Sequence, residues 1–290
     1  MGPRDGLQNE ATHLTPALRA GLCNRLFDAG LGHVEVASFV HPKWVPQMAG
    51  AEEVVLGVPR RPGAIRSGLV LNERGYDRAL AAGVDEIHYA FPVTDGFAQR
   101  NQNTTSAAGL ELSHQIVRRA RADGIAVSVG LIVAFGCPFD GPVPPERVLA
   151  IAEQVLLEPP DELMLADTIG VAVPSQVKHL FEAVGRLGIA TACHFHNTRN
   201  TGFANAVAAL EVGVRAFDSS VGGAGGCPFA PKATGNIATE DLVYLLEGMG
   251  VATGVALEPL IEVSRWLSSE LGRELPGMLA RAGPFIPIGR

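Results

Sequence analysis

One junction recurs along this 290-residue chain: an Ala-rich amphipathic segment ends on glycine and an apolar, β-rich run follows within a few residues. It is written DAGLGHVEVASF, AAGVDEIHYAF, ADGIAVSVGLI, RLGIATACHFH and EVGVRAFDSSV. A glycine just past a helix end adopts the left-handed conformation that stops the helix at little steric cost. Runs rich in Val, Ile and Phe suit strands buried on both faces. The repeat therefore predicts alternating helices and strands. Strands are expected over 34–39, 65–71, 86–91, 126–133, 162–166, 190–196 and 216–221. Helices are expected over 16–29, 52–58, 73–82, 107–122, 145–157, 175–187, 204–212, 239–249 and 257–271. Apolar strands joined by crossover helices imply a parallel sheet covered by helices, either open and doubly wound or closed as a barrel.

The polar residues are distributed unevenly along this pattern. SFVHPKWVPQ, PVTDGFAQRNQNTT, GCPFDGP, ADTIG, HFHNTRNTG and SSVGGAGGCPFAPKATGN all follow strands, whereas helix-to-strand turns are short. A (β/α)8 barrel carries its chemistry in those strand-to-helix loops and uses about 250 residues as one domain. A barrel over residues 1–250 with a helical C-terminal extension over 251–290 fits the chain. Seven strands are found where the barrel needs eight, and the first helix has no strand before it.

Composition excludes several functions. A net charge of −7 gives no footprint for nucleic acid. The longest apolar run, IAVSVGLIVAFG, is shorter than the roughly 20 residues that cross a membrane. The polar start reads as having no signal peptide. Cys23, Cys137, Cys193 and Cys227 show no paired spacing, so reduced thiols in a cytoplasmic enzyme are expected.

His194-Phe195-His196 is the most informative spacing. Residues two apart on a strand share a face, so both imidazoles point into the barrel mouth while Phe195 packs outward. Two convergent imidazoles make half a metal site, although hydrogen-bonded histidines are the more common outcome of this spacing. Asp5, Asn197 and Asn236 lie in strand-to-helix loops. Imidazole, carboxylate and amide ligands together suit Mg2+ or Mn2+ better than a closed zinc site. Arg4 beside Asp5 is either a surface ion pair or a donor to a developing oxyanion. Glu35 sits in an otherwise apolar strand, where an unpaired carboxylate is costly, and a buried pair with Arg4 is expected. The glycine-rich loop over 222–236 lacks dinucleotide-binding spacing. It is either a plain crossover or a mobile lid carrying Cys227.

The segments GPRDGLQNE, SFVHPKWVPQM, GCPFDG, ADTIGV, HFHNTRNTG and DSSVGGAGGCPFAPKATGNIATEDLVYLLEGMG, in this order, resemble the 3-hydroxy-3-methylglutaryl-CoA lyase family of metal-dependent TIM-barrel lyases and synthases. The resemblance implies Asp5, His194, His196 and Asn236 as ligands of Mg2+ or Mn2+, and Arg4 as the arginine that stabilises the enolate oxygen. It implies Cys227 as the cysteine of a catalytic loop. Glu35, Asp167 and Glu240 match supporting acids, and Gln8 lies in the same motif.

The implied activity is cleavage of a branched 3-hydroxyacyl-CoA to acetyl-CoA and a keto acid, as in leucine breakdown, with Asp5 or His194 as base. A homodimer is implied, with no nucleic-acid or membrane partner. Where the family reads His-x-His-Asp-Thr-Tyr-Gly-Gln, this chain has Asn197 and Arg199 in place of the acid and the aromatic. Arg199 is suited to clamp a carboxylate. These departures suggest a different acyl portion, citramalyl-CoA being one alternative. A Claisen-condensing synthase is another, although such enzymes lack the GGCPFA segment, and a metal-free barrel without activity is a third. The resemblance also implies an apolar strand directly before Gly2. Its absence predicts a barrel gap and leaves Asp5 on a frayed end.

Overall fold

The structure is a computed structural model that describes residues 1–226 and 235–285. It opens with a π-helical turn over Gly2–Gly6, then α1 (Pro16–Asp28), β1 (His33–Ser38), α2 (Ala51–Leu56), β2 (Ile65–Val70) and α3 (Glu73–Ala82). Next come β3 (Glu86–Pro92), α4 (Asp95–Gln102), α5 (Ser106–Asp123), β4 (Ala126–Ile132), and a hairpin of β5 (Gly136–Cys137) and β6 (Gly141–Pro142). The chain continues through α6 (Pro145–Val155), β7 (Glu162–Asp167), α7 (Pro174–Gly185), β8 (Thr191–Phe195), α8 (Gly202–Glu211) and β9 (Ala216–Asp218). A 3-10 turn over Val221–Gly223 leads to α9 (Thr239–Gly248), α10 (Leu257–Leu271) and the short α11 (Leu279–Ala282).

The repeated junction does what its chemistry requires. Gly30, Gly83, Gly124, Gly188 and Gly213 all have positive φ, between 67° and 100°, a region that side-chain-bearing residues avoid. Helix starts are fixed by side chains: Thr15, Asn72 and Thr105 accept from the backbone N–H groups of Leu18, Gly75 and Ala108.

Between these stops the strands form one parallel sheet in the order β1-β2-β3-β4-β7-β8-β9, the curled sheet of a TIM barrel. Alternate strand residues face out and are buried under the helices. Phe195, for instance, packs on Phe181 of α7 and on Phe135, and Tyr89 donates its hydroxyl to the Gly109 carbonyl in α5. The other set, including Glu35, His88, Ser128 and His194, faces the barrel interior. No helix is long and apolar enough to cross a membrane among the described residues.

Among the described residues β1 and β9 end the sheet without pairing to each other. At their C-terminal rim the Gly2–Gly6 turn packs against both β1 and the Val221–Gly223 turn. The Met1 carbonyl accepts from the N–H groups of Arg4, Asp5 and Gly6 at 3.1, 2.8 and 3.3 Å. Asp5 is therefore well held, in contrast to the frayed end expected from the sequence. The approach is close: a Cβ on Gly6 would collide with the Ser220 hydroxyl and press on Ala224.

Three local expectations are corrected. The polar stretch after β3 is helical, as α4. GCPFDG forms the β5–β6 hairpin rather than an open loop. β9 ends at Asp218 rather than Val221, because the chain turns at Gly222 with φ 69°.

Replacing Gly6 with Ala will lower stability by about 1–3 kcal/mol, the usual cost of forcing a methyl into a packed contact. Gly185→Ala, whose methyl meets nothing within 4 Å, will not. Urea midpoints compare the two, and equal midpoints would show that the first turn is not packed on Ser220.

Candidate active site

The mouth of the barrel is built around the end of β8. His194 and His196 face inward, 6% and 3% exposed, with their Nε2 atoms 3.1 Å apart. Asp5 Oδ2 lies 3.9 Å from each Nε2, and one ligand atom from each of the three residues falls within 4.8 Å of the others. Asn236 is placed beside them by backbone pairing. The N–H of Asn197 donates to the Gly235 carbonyl at 2.9 Å and that of Ile237 to the Phe195 carbonyl at 3.2 Å. Its Nδ2 donates to Asp5 Oδ2 at 2.8 Å and to the Ala224 carbonyl at 3.1 Å. That leaves Oδ1 buried with no hydrogen-bond partner.

Arg4 organises the acids around this cluster. Its Nε and Nη2 donate to the two oxygens of Glu35 at 2.8–3.0 Å, and Nη1 donates to Asp5 Oδ1 at 2.8 Å. The Glu35–Arg4 pair expected from the sequence is thus present and buried. Burial works against the charge on Arg4, and Glu35 and Asp5 overcome it. Burial would also raise the Asp5 carboxyl, but Arg4, His194 and His196 together hold it well below the usual carboxylate range. For His196, burial and the adjacent His194 push the imidazole down to about 4, so it is neutral near pH 7 with a lone pair to share.

Asp218 was not singled out by the sequence reading. Its Oδ2 lies 3.2 Å from His194 Nδ1, the second-sphere carboxylate that fixes a ligating imidazole's orientation and tautomer. Burial opposes its ionisation, yet the contact with His194 brings it down to about 2. Only the sheet register reveals it: β8 and β9 pair in parallel, with His194 opposite Asp218.

The remaining expected residues divide clearly. Gln8 lines the cavity of about 940 Å³ above the cluster, together with Arg4, Asp5, His194 and His196. Asp167 stands back from it, accepting from the N–H groups of Val171 and Ala172 at 2.9 and 3.0 Å, and so shapes the loop after β7. Burial raises its carboxyl and those two N–H groups partly offset the rise. Glu240 is buried and accepts from the Gly222 N–H at 2.9 Å, bracing the turn against which Gly2–Gly6 packs. Arg199 lies on the loop after β8. It is exposed, donates to the carbonyls of Ile169 and Gly170, and is not among the cavity's lining residues. Its guanidinium ties two loops together. Cys227 lies outside the described residues.

Two imidazoles and one carboxylate converge here, and the Asn236 amide, whose oxygen is buried without a partner, is bonded to that carboxylate. This donor set fits a divalent cation, with oxygen and nitrogen ligands and no thiolate.

Comparison with known proteins agrees with the site. The family model described as HMGL-like matches residues 1–267. The chain is 46% identical to an (R)-citramalyl-CoA lyase of Chloroflexus aurantiacus, over 99% of this chain and 94% of that protein. It is 43% identical to a hydroxymethylglutaryl-CoA lyase of Pseudomonas mevalonii, over 94% and 91%. A solved HMG-CoA lyase of Acinetobacter baumannii, in complex with coenzyme A and 3-methylmalate, superposes with a TM-score of 0.94 at 38% identity, covering 99% of this chain and 95% of that one. With its fold, its metal-compatible cluster and full-length similarity in agreement, this chain belongs to the HMGL-like family.

Proposed function

We propose that the protein is a divalent-metal-dependent carbon–carbon lyase. It cleaves a branched 3-hydroxyacyl-CoA, 3-hydroxy-3-methylglutaryl-CoA or a close analogue, to acetyl-CoA and a keto acid, which is acetoacetate for the methylglutaryl substrate. The observation that carries this is the convergence of Asp5, His194 and His196 beside Arg4 in one cavity, with Asn236 hydrogen-bonded to Asp5. Those four residues would hold Mg2+ or Mn2+, which, when bound, acidifies the substrate's 3-hydroxyl.

The chain's own groups divide the rest of the work. An imidazole has a single lone pair on Nε2, so a ligating His194 has none left for a proton, whereas a carboxylate keeps several. Asp5 is therefore the base that takes the 3-hydroxyl proton. As the C2–C3 bond breaks, charge moves onto the thioester oxygen, and the Arg4 guanidinium, held rigid by Glu35, is the donor to it. Preorganised donors of this kind contribute roughly 3–4 kcal/mol to the transition state. Cys227 would protonate the enolate carbon, a role supported by the family resemblance. His194 is oriented by Asp218, while Asp167 and Glu240 hold the surrounding loops. Gln8 lines the substrate cavity. A homodimer is part of the same proposal.

A second reading, cleavage of citramalyl-CoA to pyruvate and acetyl-CoA, is supported by the 46% identity to the Chloroflexus aurantiacus enzyme. Coupled assays on both thioesters with Mg2+ decide between them, acetoacetate or pyruvate being the product read. Cleavage of neither would overturn the lyase proposal. Arg4→Lys keeps the charge but loses the two-pronged hold on Glu35, so kcat should fall about 10²–10³-fold; a fall of less than tenfold would remove Arg4 from the enolate. Cys227→Ala should slow turnover while leaving Mn2+ affinity intact. His196→Ala should remove Mn2+ binding as well as activity, and retained binding would displace it from the ligand set.

A further inference from the structure

His88 projects from β3 into the same cavity as the metal-compatible cluster, yet none of the roles above uses it. It is 7% exposed, and its Nε2 is buried without a hydrogen-bond partner. Around it the cavity floor is apolar, with Leu69, Ala90, Ile132 and Met164. Room for the ring is made deliberately: a Cβ on Gly130 would stand 3.2 Å from His88 Cε1 and 2.7 Å from Met164 Cε. A buried nitrogen left unpaired is costly, so its natural partner is a polar group of the bound ligand.

The other ring nitrogen is wired. Nδ1 lies 2.9 Å from Ser128 Oγ, and that hydroxyl donates to Glu86 Oε1 at 3.0 Å. Glu86 in turn lies 3.6 Å from His33 Nε2, whose side chain is 45% exposed at the opposite end of the strands. A serine hydroxyl has one proton to give. With Glu86 ionised, Ser128 donates to it, Nδ1–H donates to Ser128, and Nε2 is an acceptor. With Glu86 protonated, each bond reverses, Ser128 donates to Nδ1, and Nε2–H becomes a donor. The two arrangements differ by one proton.

We propose that His88 is a specificity-determining residue that hydrogen-bonds the distal carboxylate of the acyl portion, with Ser128 and Glu86 as positioning residues that set its donor state. This rests on the acyl-CoA lyase reading. A carboxylate needs the donor form, so its binding is coupled to uptake of one proton by the relay from solvent through His33 and Glu86. Burial pushes Glu86 up to about 7, with Glu35, Asp218 and Asp161 adding to the rise. The relay therefore changes state near neutral pH. The charged groups facing it are His33 and Glu35 on β1, Asp161 and Glu162 at the start of β7, Asp218 on β9, and, around His88 itself, Arg4 and His194. Burial lowers His88, which keeps the ring neutral and makes its tautomer the variable.

The sign follows directly. Below about pH 7 Glu86 is protonated and Nε2 donates; above it the proton must be recruited, and apparent affinity falls by about tenfold per pH unit for one proton. The test is KM for 3-hydroxy-3-methylglutaryl-CoA from pH 6 to 8.5 at saturating Mg2+. The wild type should show KM rising through pH 7. Glu86→Gln should flatten that slope, because an amide serves Ser128 from either end without exchanging a proton, and Ser128→Ala should flatten it too. His88→Leu should raise KM at pH 6 by tenfold or more. A Glu86→Gln profile superimposable on wild type, or a His88→Leu KM within twofold of it, overturns the proposal. The ring 15N resonances of His88, assigned with His88→Gln, read the relay without turnover. A tautomer change near pH 7 that Glu86→Gln abolishes supports the relay even if no thioester is cleaved, in which case only the lyase reading fails; a pH-invariant tautomer sinks the relay.

Discussion

The guanidinium of Arg4 is bound on both sides at once, and the site depends on that. Two of its nitrogens hold Glu35 in β1 and a third holds Asp5 in the first turn. A single planar group thereby fixes the N-terminal turn to the sheet, aims Asp5 at the histidines and remains directed into the cavity. Removing one partner of such a buried pair is far more costly than the pair's net contribution, about 3–5 kcal/mol, because the other charge is left unpaired. Glu35 is therefore positional: it holds the Arg4 guanidinium in place beside Asp5.

Charge explains why the cluster suits a divalent ion. Asp5, Asp218 and Glu35 face one guanidinium, and a His196 pushed down to about 4 adds no positive charge near neutral pH. Asn236 spends its N–H donors on Asp5 and Ala224 and leaves its side-chain oxygen buried without a partner. Behind the cluster, Asp218 contacts His194, Asp167 accepts from the loop after β7 and Glu240 from the Gly222 turn.

Much of this was legible in the chain, for specific physical reasons. Buried parallel strands read as unbroken apolar runs, and the junction glycines mark each helix end by necessity, so β1 to β4, β7 and β8 fall where expected. The His-x-His spacing follows from the two-residue period of a strand. Other features carried no such signal. α4 is built from DGFAQRNQ, with no apolar period; its place is set by Phe97 and Ala98 packing inward. The Gly2–Gly6 turn begins on Gly-Pro, which reads as a break, and is held by carbonyl bonding at Met1 and by close packing on Ser220. Asp218 and His88 are single polar residues in strands, and only the register of the sheet shows that one faces His194 and the other the cavity. Residue type alone suits Arg199 to carboxylates, while its partners in the structure are backbone carbonyls.

The account stands or falls on whether this mouth binds one divalent ion. The direct measurement is a titration of Mn2+ into metal-stripped protein, followed by electron paramagnetic resonance, comparing the intact chain with Asn236→Leu and Asp5→Asn. The account predicts one Mn2+ per chain, displaced by excess Mg2+, with affinity lowered about tenfold or more in either variant. Full Mn2+ binding in both variants, or none in the intact chain, would contradict it.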